Sequence, residues 1–261
     1  MTSKVMNYTA GGIQLVMSMF LTVWLILLLI QEDSLSFVVG EYDGEQDGIT
    51  HGHVPLSTIV LLLVVFTLIT GLVHILAYAR SSEAYQNAVD SGNNWMRWVE
   101  YSITATIMLF VIAVVSGTNS TDTLILLITS TICCMLCGFL SEATARSDAR
   151  VSKLSTVIGW LLMLSSFGVI LRRFGSIFKQ SQDSGSPGPP PFVWAIVIGM
   201  MILYMSFGVI HLKHMHRQWD NTEIVPLEFH QRTEKLYTIA SMVSKILLVT
   251  LLASGLFVRP N

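Results

Sequence analysis

An all-α bundle of seven membrane-spanning helices is the fold this sequence predicts, and three observations predict it. The 261-residue chain is 52% hydrophobic and 12% charged, with a mean hydropathy of +0.62; soluble domains carry about 25% charged residues. Seven stretches meet the roughly 20-residue apolar requirement of a spanning helix, at about 11–31, 54–79, 94–117, 122–142, 153–174, 191–213 and 234–257. The basic residues are also divided unequally between the two loop sets. With the N-terminus inside, ten lie on the cytoplasmic side (Lys4, Arg80, Arg97, Arg146, Arg150, Lys153, Lys213, Arg217, Arg232, Lys235) and four outside (Arg172, Arg173, Lys179, Arg259). The positive-inside rule then predicts a cytoplasmic N-terminus and an outer C-terminus. Residues 1–261 read as one domain without an internal repeat. The net charge of −2 offers no basic patch for nucleic acid.

The first stretch follows Lys4 and has no small-x-small cleavage site, so it reads as a retained helix. The loop after it holds Glu32, Asp33, Glu41, Asp43, Glu45 and Asp47 with no Lys or Arg, as an outer loop should. Its glycines permit a short β-hairpin over the outer face. Asn119-Ser120-Thr121 is a glycosylation sequon too close to the membrane to be used. Cys133, Cys134 and Cys137 share one apolar run; with no loop cysteine to pair with, they read as small packing residues. Glu142, closing the fourth stretch, reads as an exposed boundary carboxylate. Ser181–Pro191 is Ser/Gly/Pro-rich and reads as a flexible or extended connection. His211 and His214 share a helix face; interfacial polarity is the simpler reading, and a metal site the alternative.

Lys245 lies near the middle of the seventh stretch. A mid-bilayer ammonium costs about 2.5–3.5 kcal/mol even on the lenient insertion scale, so such a lysine is paired, neutralised or covalently used. Glu100, about one turn inside the third stretch, is the carboxylate that suits it. The alternative partner for Glu100 is Arg97 three residues earlier, which can also snorkel to the surface. Our reading of Lys245 is a Schiff base to a retinal aldehyde, with Glu100 as counterion. Ser241 sits one turn before Lys245 on the same face. Gln14 and His74 come from the first two stretches, and the predicted directions place them in the cytoplasmic half with Glu100 and Ser241. A shared polar cavity follows. Tyr101 and Tyr204 are assigned to the chromophore pocket, with Phe207, Phe167, Trp160 and Phe139 as further candidates for its wall.

These residues resemble one branch of the microbial-type rhodopsins, the heliorhodopsins. Arg97-Trp98-Val99-Glu100-Tyr101-Ser102 resembles that family's third-helix signature, and Ser241-Met242-Val243-Ser244-Lys245 its retinal-binding motif. His74, Glu142, Glu234, Tyr237 and Ser254-Gly255 fit the pattern as well, and the inverted topology is a family hallmark. The resemblance implies all-trans retinal as cofactor, residence in the lipid bilayer of the cell membrane, and a homodimer. Two positions depart from it: Gln14 stands where the family has a second histidine, and Met205 where it has an asparagine. Glutamine accepts no proton near neutral pH, which leaves His74 without an imidazole partner.

The expected function is a light-absorbing, signalling photoreceptor that is neither a pump nor an enzyme. A light-gated proton or ion conductor is the alternative, motivated by Gln14 and the outer Arg172-Arg173 pair. A ligand receptor without a chromophore would have the opposite orientation and an outer disulfide. No signalling partner can be read from the chain.

Overall fold

In lipid, every backbone N–H and C=O must be satisfied within the protein, so long apolar runs become helices. The computed structural model describes residues 3–30, 36–43, 48–80, 82–185, 188–220 and 225–257. In chain order they form α1 (Ser3–Ile30), β1 (Ser36–Asp43), β2 (Gly48–Pro55), α2 (Leu56–Leu72), α3 (Ser82–Asp90), α4 (Trp95–Val115), α5 (Thr121–Thr144), α6 (Ala149–Ser184), α7 (Pro191–Trp219) and α8 (Leu227–Phe257). A π-helical segment, Val73–Arg80, continues α2. Seven helices among the described residues are long and apolar enough to cross a membrane: all but α3.

The expected hairpin is present. β1 and β2 pair antiparallel from Ser36↔Pro55 to Asp43↔Gly48, and β1 packs against α4 and α5. Of the acidic loop, Glu32, Asp33, Glu45 and Asp47 lie outside the described residues, as does Arg259 near the C-terminus. Three departures from expectation concern lengths. α6 continues through Ser181–Ser184, into the stretch read as a connection, and stops at Gly185, whose φ of +66° ends the helix in the left-handed region. α7 and α8 extend beyond their apolar runs through His214–Trp219 and Leu227–Thr233, where His214, Met215, Gln218, His230 and Thr233 are buried. α3 is a short amphipathic helix that hydropathy did not reveal; it buries Tyr85 and Val89 against Tyr78.

α4 is the central helix. In its apolar window 61% of residues are buried, against 22% in α5, whose outer face meets lipid. Leu126, Phe20 and Ile30 are exposed in the same way. At the hairpin end the interior is apolar: Ile59 and Leu63 of α2, Ile112 of α4, Met200 of α7, and Leu248 and Leu252 of α8 are fully buried together. Thr67 in this region bonds to its own helix carbonyls. Polar side chains gather at the opposite end, where α1 begins. There α1 crosses the end of α2 closely: a Cβ on Gly11 would lie 2.6 Å from Ile75 Cγ1 and 3.2 Å from His74 Cβ, and one on Gly71 2.7 Å from Leu15 Cδ2. Small residues at a crossing let two helices approach, and this one carries Asn7 and Gln14 to the polar interior.

Candidate functional site

Lys245 is 2% exposed. α8 carries it to the centre of the bundle, where Nζ donates to Glu100 Oε1 at 3.0 Å and to Thr70 Oγ1 at 2.6 Å. Glu100 Oε2 accepts from the Tyr78 hydroxyl at 3.0 Å. Tyr78 lies in the π segment, one turn after His74, and the two rings meet edge to face at 4.9 Å. His74 Nδ1 reaches Asn7 Oδ1 at 3.1 Å. The buried ammonium and carboxylate thus balance one to one, and a line of polar groups leads from Glu100 through Tyr78 and His74 to α1. The π turn accommodates an extra residue in the helix, and such bulges are frequent at functional sites.

A pocket of about 770 Å³, counting the space at its mouth, runs from Lys245 between α4, α5, α6, α7 and α8. Its walls are apolar and aromatic, including Tyr101, Trp160, Met163, Tyr204 and Phe207. Two glycines make room for its indoles: a Cβ on Gly138 would lie 2.3 Å from the Trp98 ring, and one on Gly208 2.7 Å from that of Trp160. Tyr204 donates to the Ala105 carbonyl at 2.9 Å, which satisfies its hydroxyl and turns its ring to the pocket. Ser241 is buried and lines the pocket. An apolar pocket with a primary amine in its wall, beside a carboxylate, suits a hydrophobic aldehyde. Lys245 would hold retinal covalently, with the aromatic walls enclosing its chain.

A second ionic cluster lies near the first, and it corrects several expectations. Arg97 is 2% exposed; it does not snorkel and does not pair with Glu100. Its guanidinium bridges Glu142 of α5 and Glu234 of α8, and lies 4.0 Å from the Tyr237 ring centroid. Glu142 is buried, not an exposed boundary residue; it also accepts from Trp98 Nε1 at 2.8 Å. Asn94 precedes α4 without capping it by a side-chain bond, and its amide nitrogen donates to Glu234 at 3.0 Å. His211 and His214 are buried beside Glu142 rather than interfacial. Their acidic neighbour comes from another helix, so no spacing along α7 reveals it. Among the described residues, no group of three or more His, Cys, Asp and Glu side chains is arranged to hold a metal.

Of the residues singled out in the sequence, Lys245, Glu100, Ser241, Tyr101 and Tyr204 come together, and His74 joins them through Tyr78. Gln14 is 1% exposed, but neither polar atom of its amide has a hydrogen-bond partner among the described residues. Phe167 backs Tyr204 at 5.1 Å without lining the pocket, and Phe139 is 36% exposed, turned outward. Cys134 lines the pocket, its thiol donating to the Gly159 carbonyl. Sequence reasoning missed Asn7, Thr70 and Tyr78. Asn7 and Tyr78 carried a usable signal: each is a polar side chain at the edge of an apolar run, on the end of the bundle where the other polar groups collect. Thr70 carried none, since threonines in spanning helices commonly bond their own backbone.

Comparison with known proteins agrees with this architecture. The crystal structure of Exiguobacterium sibiricum rhodopsin is similar in fold, with a TM-score of 0.63 over 95% of this chain and 93% of that one, at 10% sequence identity. A search of curated proteins gave no match. The family model of the heliorhodopsins matches residues 4–257, nearly the whole described bundle, and the chain therefore belongs to the heliorhodopsin family.

Proposed function

We propose that this integral, multi-pass membrane protein uses its retinal chromophore for light sensing and signalling, with Lys245 as the attachment point and Glu100 as the counterion. The observation that carries the reading is the buried Lys245–Glu100 contact at 3.0 Å, at the end of an apolar, aromatic-lined pocket. When bound as a protonated Schiff base in the all-trans form, retinal supplies visible absorption and a light-driven isomerisation. Glu100 stabilises a cation on Nζ, since an opposite charge within about 4–6 Å favours the charged form. Thr70 offers Nζ a second acceptor, and Tyr78 holds the far oxygen of Glu100. A proton leaving Nζ meets Glu100 first, and the side chains beyond it are Tyr78, His74 and Asn7.

The distribution of basic residues supports a cytoplasmic N-terminus, which turns this polar end toward the cytoplasm. The apolar plug of Ile59, Leu63, Ile112, Met200, Leu248 and Leu252 fills the bundle beyond Lys245, toward the hairpin. A continuous ion path needs polar groups or water there, so the plug favours signalling over transport. A plasma-membrane homodimer that passes the signal to a separate partner completes the proposal.

Adding all-trans retinal to the purified protein should produce a visible band. Lys245→Ala should abolish it, and borohydride should trap the label on Lys245. A visible pigment retained in Lys245→Ala would refute the attachment site. Voltage clamp tests the conductor reading: silence in the light at all voltages is expected, and a photocurrent with a reversal potential would overturn the signalling assignment.

A further inference from the structure

The polar line that leaves Glu100 ends on α1, in a contact whose atoms fix the position of a proton. Asn7 is 0% and His74 3% exposed, and Asn7 Oδ1 lies 3.1 Å from His74 Nδ1. A carboxamide oxygen only accepts hydrogen bonds, so Nδ1 carries the hydrogen. Lys245 and Glu100 already balance in charge, and a further buried charge without compensation is strongly unfavourable. His74 therefore rests neutral. A neutral imidazole has one N–H, so Nε2 is left with the lone pair. The helices are shaped to keep this contact. Gly11 lies one turn after Asn7 on the same face of α1, and a Cβ there would lie 3.2 Å from His74 Cβ and 2.6 Å from Ile75 Cγ1. The missing side chain lets α1 come close enough for the short Asn7 side chain to reach the ring. Tyr78 supports the ring from its own helix, edge to face at 4.9 Å.

We propose that Asn7 is the positioning residue of His74: it holds the ring in the Nδ1–H tautomer and leaves Nε2 as the atom that accepts a proton. Which ring nitrogen of a histidine is protonated is set by the hydrogen bond that the other nitrogen makes, and here that bond is to a neutral amide. When a proton adds to the Nε2 lone pair, no bond at Nδ1 breaks. The Nδ1–H donation to Asn7 Oδ1 becomes charge-assisted and strengthens. An amide accepts no proton near neutral pH, so Asn7 orients the imidazole without sharing its proton, as a second imidazole would. Gln14 does not take this part, because its buried amide reaches no partner among the described residues. Asn7 Nδ2 is likewise buried without a partner among them, so the bond to His74 is what the Asn7 amide contributes here. The accepting step rests on the photoreceptor reading, whereas the tautomer needs no chromophore.

The test is ¹⁵N-histidine NMR on the full-length, retinal-free protein in lipid, at mildly alkaline pH where imidazoles are neutral. The His74 resonances are those lost in His74→Phe. The wild type should show His74 with hydrogen on Nδ1 and a bare Nε2. Asn7→Leu should move the hydrogen to Nε2 in part or all of the population, and Gly11→Ala should do the same without altering either polar group. Asn7→Asp, which keeps an acceptor oxygen, should keep the hydrogen on Nδ1. An Nε2–H tautomer in the wild type would overturn the proposal without recourse to a variant, as would an Nδ1–H form that survives Asn7→Leu unchanged. In the retinal-bound protein, transient infrared spectroscopy should show an imidazolium signal from His74 after a flash, lost or strongly weakened in Asn7→Leu. A signal indifferent to Asn7 would overturn the accepting role of Nε2. Failure to form any pigment would strike the photoreceptor reading and leave the tautomer result standing, so the two fail separately.

Discussion

Replacing Glu100 by Gln in the retinal-free protein isolates the electrostatic claim from the photochemistry. The amide keeps an oxygen for Tyr78 or Lys245 but removes the charge opposite an ammonium that is 2% exposed. Removing one partner of a buried pair costs about 3–5 kcal/mol. The lower figure applies here, because Thr70 still accepts from Nζ at 2.6 Å. At about 2–4 °C per kcal/mol for a chain of this size, ~3 kcal/mol lowers Tm by roughly 6–12 °C. Lys245→Met should be comparably harmful, since it strands the Glu100 carboxylate with Tyr78 alone. The double variant removes both charges and should cost about as much as either single change and not their sum, leaving a coupling of about 2–3 kcal/mol in the cycle. Thermal unfolding of the four proteins in one detergent provides the measurement. Losses that simply add would show that the two charges do not stabilise each other and would refute the pairing.

Three further outcomes follow from the same geometry. Gln14→Leu should raise stability by about 1 kcal/mol, because a buried amide without partners carries a desolvation penalty of about 1–3 kcal/mol; a lower Tm would reveal a polar partner for Gln14. Gly138→Ala should shift or weaken the pigment band, since its Cβ would lie 2.3 Å from the Trp98 ring, whereas Gly159→Ala, with its nearest contact at 3.4 Å, should not; equal spectra would count against Trp98 as a pocket wall. Tyr78→Phe should destabilise the retinal-free protein by about 1.5–3 kcal/mol, the range for a hydrogen bond to a charged group; an unchanged unfolding curve would deny that bond.

The spans were legible because each is a local property: some twenty apolar residues announce a helix wherever their neighbours lie. Lys245 was legible for the same reason, being a charge in the middle of such a run. The partners of Arg97 were not. Glu142 and Glu234 lie 45 and 137 residues away along the chain, and pairing with Glu100 at three residues was the nearest local solution. The length of α7 and α8 escaped hydropathy because their ends are amphipathic: His214, Met215 and Gln218 of one and His230 and Thr233 of the other are buried, while His216, Leu227, Glu228 and Arg232 are exposed. The π segment left no trace in composition. Its polar residues, His74 and Tyr78, became meaningful only once Glu100 was found opposite them.

The signature on α4 has a geometric reason. At ~100° per residue, with Arg97 at zero, Tyr101 falls near 40°, Trp98 near 100°, Ser102 near 140°, Val99 near 200° and Glu100 near 300°. Val99 therefore points away from the bundle, and it is 55% exposed. Glu100 turns to α2 and α8, where it meets Tyr78 and Lys245. Trp98 turns to α5, where its indole bonds Glu142 and rests on Gly138. Arg97 and Tyr101, between them, share the face toward α8: Arg97 bonds Glu234, and Tyr101 meets the Tyr237 carbonyl at 3.4 Å. Six consecutive residues thus aim one carboxylate at the lysine and one guanidinium at a separate carboxylate pair. Arg97 and Glu100 lie only about 60° apart on α4, and the two ionic clusters remain distinct because each side chain meets its own partners: Glu142 and Glu234 hold the guanidinium, Lys245 and Tyr78 the carboxylate.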